Sequence, residues 1–322
     1  MKLGILTDAL AKRSLREVVD FAAGLHLDGI ELTTGNWSQA PHVQLDELLS
    51  DTRARTNLLH LLNEGGLELL ALNANGNPLH PDEGAAHDDV VRKTMRLASD
   101  LGVRTVVVMS GLPAGVPGDS TPNWITSSWP PEAVAMHEYQ WNTVAIPYWE
   151  SLAEEAGRLG VQLAVEMHGR QLVYNVSSYQ QLKKAVDSPA IGANLDPSHL
   201  MWQGCDIPSV IQELGKEIIH VHAKDVRIER RRSDVNGVLD PLPPSAASQR
   251  AWNYVTLGNG HAGGAEFWRD FVYTLRTVGY EGPLSIEHED VLVSGEEGVK
   301  RSVEILSSTL FQQAPDWVPA DV

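Results

Sequence analysis

Four runs in the second half of the chain carry acid and imidazole side chains at a spacing of two. Glu166 and His168 follow Ala164, Asn194 pairs with Asp196, His220 with His222 and Lys224, and Ser285 with Glu287 and Glu289. Each run is β-rich, and in a strand residues i and i+2 share a face. Alternation therefore sets Leu163, Val165 and Met167 opposite Glu166 and His168. It likewise sets Ile219, Val221 and Ala223 opposite His220, His222 and Lys224. If the four strands are neighbours, their polar residues converge. Several uncompensated carboxylates in one buried place would repel each other and lose their hydration, unless a cation neutralises them. An oxygen-rich set with an imidazole favours Mn²⁺, with Mg²⁺ or Co²⁺ close behind and Zn²⁺ less suited in the absence of thiolates. A protein-only ion network through Lys224, Arg170 and Arg227 is the alternative without a metal.

The elements that must position these residues alternate short apolar runs with amphipathic stretches, the pattern of repeated βα units around a parallel sheet. Eight runs fit: 3–7, 29–33, 67–72, 105–109, 162–166, 191–196, 218–223 and 283–287. Helical periodicity follows each, at 14–25, 45–64, 86–101, 132–159, 178–186, 207–214, 265–278 and 294–310. Ser14 and Glu17 form a capping box at the first of these. Eight units suggest a (β/α)8 TIM barrel, α/β in class, which needs roughly 250 residues. An open doubly wound sheet is the alternative, since periodicity does not show closure. The expected organisation is a single domain over 1–313 with a C-terminal tail at 314–322. Long connections at 73–82, 110–131 and 225–264 all follow strand carboxyl ends, the face on which a barrel builds its site. Trp124 and Trp129 in the second could form a lid or a sugar-stacking wall.

Charge narrows the partners. Lys and Arg number 25 against 42 Asp and Glu, a formal charge of −17 that repels polyanions, so no nucleic acid is expected. No run approaches the ~18 apolar residues of a membrane span. With no signal-like start, the expected location is cytoplasmic. Cys205 is the single cysteine, which excludes an internal disulfide and Cys-based zinc sites.

The runs Glu166-Met-His-Gly, Asn194-Leu-Asp196-Pro-Ser-His199, His220-Val-His222-Ala-Lys-Asp225 and Ser285-Ile-Glu287-His-Glu-Asp together resemble the xylose isomerase-like sugar phosphate isomerase/epimerase superfamily. The resemblance implies a metal site of Glu166, Asp196, His222 and Glu287. It also implies that His199 touches substrate, as in ketose 3-epimerases, and puts Arg227 near a substrate arginine, at a different spacing from His222. His168 and Lys224, on the same inward faces, are further substrate-binding candidates. The chemistry implied is enolisation. A divalent metal chelates a carbonyl and the neighbouring hydroxyl of a keto-sugar or 3-oxo-glycoside, and stabilises the metal-bound enediolate. Glu166 and Glu287 then serve as proton acceptor and donor on opposite faces.

Epimerisation, isomerisation and elimination all share that step. The loop around Asn75 to His80, the aromatic segment 139–149 and Arg250-Ala-Trp252 also resemble a subgroup containing the metal-bearing subunit of bacterial C-glycoside deglycosidases. That subgroup would make His137 an additional base and His80 a substrate contact. It would also bring a small partner subunit, where other members would be homo-oligomers. The endonuclease branch needs more metals and a DNA surface, which the charge disfavours.

Overall fold

A computed structural model describes residues 1–260, 262–311, 313 and 316–317. Most of the anticipated tail thus lies outside the described residues. The strands in chain order are β1 (Lys2–Leu6), β2 (Gly29–Thr33), β3 (Glu68–Asn73), β4 (Thr105–Met109), β5 (Gln162–Glu166), β6 (Ile191–Leu195), β7 (Ile218–Ala223), β8 (Asp225–Ile228), β9 (Trp252–Val255) and β10 (Pro283–Ile286). Strands β1 to β7 run in sequence order round the barrel, and β10 closes it between β7 and β1, all parallel. The open-sheet alternative is excluded. Helices cover the outside and bury one continuous apolar core against the strands.

Local chemistry sets the element ends. The Ser14 hydroxyl accepts from the Glu17 amide while the Glu17 carboxylate accepts from the Ser14 amide, so the box starts the helix Leu15–Gly24. The periodic stretch 45–64 is two helices, Leu45–Ser50 and Thr52–Glu64, because Asp51 turns extended and caps the second through the Arg53 amide. The stretch 132–159 is helical throughout, but its middle, Tyr139–Ala145, is wound as a π-helix.

Two β-bulges break strict alternation. Between β2 and β3 the register slips after Ile30/Leu69 to Glu31/Ala71, leaving Leu70 as the extra residue. Between β6 and β7 it slips from Ala193/Ile218 to Asn194/His220, leaving Ile219 extra. Both extra side chains fill the barrel floor. Ile219 packs on Ala71, Val107 and Ala164, and a Cβ on Gly192 would come within 2.7 Å of it. Leu70 takes the space beside Gly29, where a Cβ would lie 2.7 Å from its Cγ. Ile219 was expected to face away from His220 and His222. Instead it points inward with them, because the bulge resets the phase of the strand between residues 219 and 220.

The long connection 225–264 contains the ribbon of β8 and β9, paired antiparallel with Val226 opposite Tyr254. Asp225 fastens it to the barrel. Its buried Oδ2 accepts from the Gly258 amide at 2.9 Å, the Gly260 amide at 3.3 Å and Trp268 Nε1 at 3.1 Å. Among the described residues no helix is long and apolar enough to cross a membrane.

Candidate metal centre

The carboxyl ends of β5, β6, β7 and β10 bring Glu166, Asp196, His222 and Glu287 together. Glu166 closes β5, and its Oε2 accepts from Asn75 Nδ2 at 2.8 Å and Asn194 Nδ2 at 3.0 Å. That oxygen is saturated, so Oε1 is the one left to face the centre. Asp196, one residue beyond β6, caps the short helix Pro197–Met201 by accepting from the Ser198 amide on Oδ1. The turn carries His199 back over Asp196, with Nε2 at 3.1 Å from Asp196 Oδ2 and 3.2 Å from Glu166 Oε1. His222 Nδ1 stands 3.2 Å from Glu166 Oε2 and 2.9 Å from Glu287 Oε2. Glu287 continues the ladder past β10 through its amide bond to Ala223.

These contacts are close but misaligned for hydrogen bonding. Asp196 Oδ2, His222 Nδ1, His199 Nε2 and Glu287 Oε2 are buried and have no hydrogen-bond partner. Unpaired buried polar atoms are costly, and here they gather at one point. Glu166, Asp196 and His222 offer ligand atoms all within 4.8 Å of one another. The residues therefore fit a divalent cation, whose bonds would satisfy those atoms.

Glu31, His220 and His222 form a second group at metal-ligand separation. The atoms that face one another there already pair, since Glu31 accepts from His220 Nε2 at 2.7 Å, His222 Nε2 at 3.0 Å and Asn73 Nδ2 at 3.0 Å, and the unpartnered atom of His220 is Nδ1, on the other side of its ring. An ionised carboxylate only accepts, so both imidazoles carry their proton on Nε2. Glu31 thereby turns His222 Nδ1 toward Glu166, Asp196 and Glu287, as carboxylates behind metal-bound histidines do. Glu31 was not anticipated. The alternation rule applied to β2 would have found it, because Glu31 shares a face with Gly29 and Thr33.

Electrostatics match this division. Burial pushes the Glu287 carboxyl up, against the pull of Lys224 and His222. Burial acts on Glu166 too, but the His199 and His222 imidazoles outweigh it and hold the acid well below the usual carboxylate range. Asp196 is held at about 2, the cost of burial being overcome by His199 and Lys224. Burial would lower His199, yet Asp196 and Glu166 keep it at about 9. His222 is likewise raised well above its ordinary value by Glu31 and Glu287 in spite of burial. Protons on these imidazoles perform the neutralisation that a cation would provide.

The remaining sequence candidates separate. Lys224 is buried, 3.1 Å from Glu287 Oε1, 2.8 Å from Glu289 Oε2 and 4.5 Å from the Tyr254 ring centre. His168 packs 4.0 Å from the His199 ring and is pushed down to about 3 by burial and by His199. Both line the cavity of about 170 Å³ that opens on Glu166 and Glu287. Three others are not brought there. Arg227 is exposed on β8 and pairs with Glu229. His80 Nδ1 accepts from the Asp82 and Glu83 amides at the start of the helix Gly84–Leu101. His137 Nε2 accepts from Trp141 Nε1 and lines a different hollow, with Ser127 and Tyr174. Tyr254, whose hydroxyl lies 2.9 Å from His199 Nδ1, was missed, since only the β8–β9 ribbon brings it over the site.

The model of the xylose isomerase-like TIM barrel family matches residues 19–309. YfiH of Bacillus subtilis (strain 168) is 47% identical over 316 residues, covering 97% of this chain and all of YfiH. Among solved structures, the IOLI protein with a bound zinc atom aligns with a TM-score of 0.67 at 20% identity, over 97% of this chain and 100% of its own. D-psicose 3-epimerase in the presence of D-fructose aligns at 0.59 and 14% identity, over 96% of both chains. At those identities the two structures speak for the fold. By the family model and by its strands, this chain belongs to the xylose isomerase-like TIM barrels.

Proposed function

We propose that the protein is a divalent-metal-dependent enzyme of the sugar isomerase/epimerase type, which removes a proton from the carbon next to the carbonyl of a keto-sugar. The observation that carries this reading is the convergence of unpartnered buried atoms, Asp196 Oδ2, His222 Nδ1 and Glu287 Oε2, beside Glu166 at the end of a narrow cavity. Glu166, Asp196, His222 and Glu287 would hold the ion, Mn²⁺ being favoured, and Mg²⁺, Co²⁺ and Zn²⁺ also suit these donors. Such a cation supplies Lewis acidity, drawing electron density from the substrate carbonyl and acidifying its neighbouring C–H.

The protein's own groups then have distinct tasks. Glu287 lines the cavity, and with Oε2 given to the ion its Oε1, beside Lys224, would be the oxygen that takes the proton. Glu166, with Oε2 tied down by two amides, would serve as a ligand through Oε1. Lys224 pairs with both Glu287 and Glu289 and holds them in place. Support also comes from the relatives, one crystallised with zinc and another with D-fructose.

The test is proton exchange. In D₂O, protein loaded with Mn²⁺ should label the α-carbon of ketoses or 3-oxo-glucosides, followed by NMR, and Glu287→Gln should lose the labelling. Loaded protein that labels none of them, or a Glu287→Gln variant that labels at the wild-type rate, contradicts the reading.

A further inference from the structure

The His199 ring is tethered on two sides. Its Nε2 faces Asp196 Oδ2 at 3.1 Å and Glu166 Oε1 at 3.2 Å, and its Nδ1 lies 2.9 Å from the Tyr254 hydroxyl. Asp196 Oδ2 and Glu166 Oε1 are also the oxygens that face the ion. When they ligate, their charge is drawn to the cation and the Nε2 side of the ring loses its hold. The Tyr254 hydroxyl is then the one hydrogen bond left on the ring among the described residues.

An imidazole needs such a hold, because rotation about its χ2 is broad and roughly two-fold. Half a turn puts Cδ2 in the place of Nδ1 and Cε1 in the place of Nε2, so the flipped ring offers the metal centre a carbon. Packing against the His168 ring at 4.0 Å does not separate the two orientations, since the flipped ring has the same outline. The hydroxyl does separate them. It can donate or accept, so it pairs with Nδ1 in either form of the imidazole. A hydrogen bond of ordinary net strength biases the two orientations by up to about tenfold.

Tyr254 is itself firmly placed. The ribbon of β8 and β9 carries it, and Asp225 fastens that ribbon to the barrel. Its ring meets Trp252 at 5.2 Å, and Trp252 stacks on Trp202 with centroids 5.1 Å apart and planes 5° from parallel. Trp252 Nε1 donates to the Val238 carbonyl at 3.0 Å. Together with Trp124 these rings wall an aromatic hollow of about 560 Å³, so Tyr254 is braced from the side away from His199. The Lys224 ammonium lies 4.5 Å from the Tyr254 ring centre. One side chain thus braces two basic groups, His199 through its hydroxyl and Lys224 through its ring.

We propose that Tyr254 is a positioning residue, whose hydroxyl keeps His199 Nε2 turned toward the substrate while the metal ion is bound. That Nε2 has a substrate to face rests on the metal-dependent reading above; the hold on the ring rests on the Tyr254–His199 bond.

The test is proton NMR of the histidine rings in wild type and Tyr254→Phe, metal-free and loaded with Mg²⁺, which is diamagnetic. His199 is identified by the signals missing from His199→Gln. Tyr254→Phe keeps the ring against Lys224 and Trp252 and removes the hydroxyl alone. A flipped His199 brings its Hδ2 against the far edge of ring 254, so a nuclear Overhauser effect between them reports the flip. The expected result is a strong effect in Mg²⁺-loaded Tyr254→Phe only, since in the metal-free variant the carboxylates still hold Nε2. Mg²⁺ affinity should be unchanged by calorimetry. An equally weak effect in both loaded proteins overturns the positioning role and leaves α-carbon exchange to stand. A strong effect already present in the metal-free variant overturns it too, for the hydroxyl would then hold the ring regardless of the ion. His199 signals that do not respond to Mg²⁺ in wild type overturn the metal reading along with it. Should Tyr254→Phe fail to fold, wild-type crystals grown with Mg²⁺ decide: a Tyr254 hydroxyl still on Nδ1 upholds the role, and a ring turned away from it overturns the role.

Discussion

Replacing Glu31 by Gln tests how the metal centre is aimed. The wild-type carboxylate is fully buried and accepts three hydrogen bonds, from His220, His222 and Asn73. A Gln side chain keeps one acceptor oxygen and presents an NH₂ on the other side. If that NH₂ meets His222 Nε2, the imidazole must shift its proton to Nδ1, the atom turned toward Asp196, Glu166 and Glu287, and it can no longer ligate. If it meets His220 instead, the charge behind His222 is lost all the same. Losing a carboxylate behind a metal-bound histidine typically weakens metal binding ~10–100-fold. At 1.36 kcal/mol per tenfold that is about 1.4–2.7 kcal/mol. Calorimetric titration with Mn²⁺ should show this loss in Glu31→Gln with stoichiometry still one ion per chain. Wild-type affinity in a folded Glu31→Gln variant would refute the aiming role, and loss of one whole equivalent would mean that Glu31 is itself a ligand.

Metal uptake must expel the proton that His222 carries at neutral pH, and the His199 proton beside it, so titration in buffers of differing ionisation enthalpy should report proton release, and none would contradict the arrangement. Because the folded pKa of His199 is raised to about 9, the stability it contributes is fully present below its unfolded pKa of about 6.5 and is lost as pH climbs through 9. The melting temperature of metal-free protein should therefore fall across that window, and a flat profile would count against the charged pair. Asp225→Asn leaves at least one buried N–H facing an amide NH₂, so thermal or urea unfolding should show a loss of about 1–3 kcal/mol, and an unchanged midpoint would refute the anchoring of the β8–β9 ribbon.

The barrel was legible because its strands are buried on both faces and bounded by turns. The runs 29–33, 105–109, 162–166 and 218–223 coincide with strands residue for residue. The convergence of Glu166, Asp196, His222 and Glu287 was legible for a related reason, since alternation holds over the last two or three residues of a strand even where it fails earlier. Ile219 shows the failure, because a bulge leaves no mark in a run of β-branched and imidazole residues. The β8–β9 ribbon was not legible, as 23 residues separate Ile228 from Trp252 and no hairpin signal joins them. Tyr254 and the aromatic hollow went unseen with it. His80 and His137 were singled out by residue type, but their positions are decided by local hydrogen bonds to backbone amides and to Trp141, which spacing does not encode.

The central claim is one divalent ion held by Glu166, Asp196, His222 and Glu287. Anomalous diffraction from crystals grown with Mn²⁺ tests it most directly. The account predicts a single strong peak about 2 Å from Glu166 Oε1, Asp196 Oδ2, His222 Nδ1 and Glu287 Oε2. No peak there, or one lodged among Glu31, His220 and His222, would contradict it.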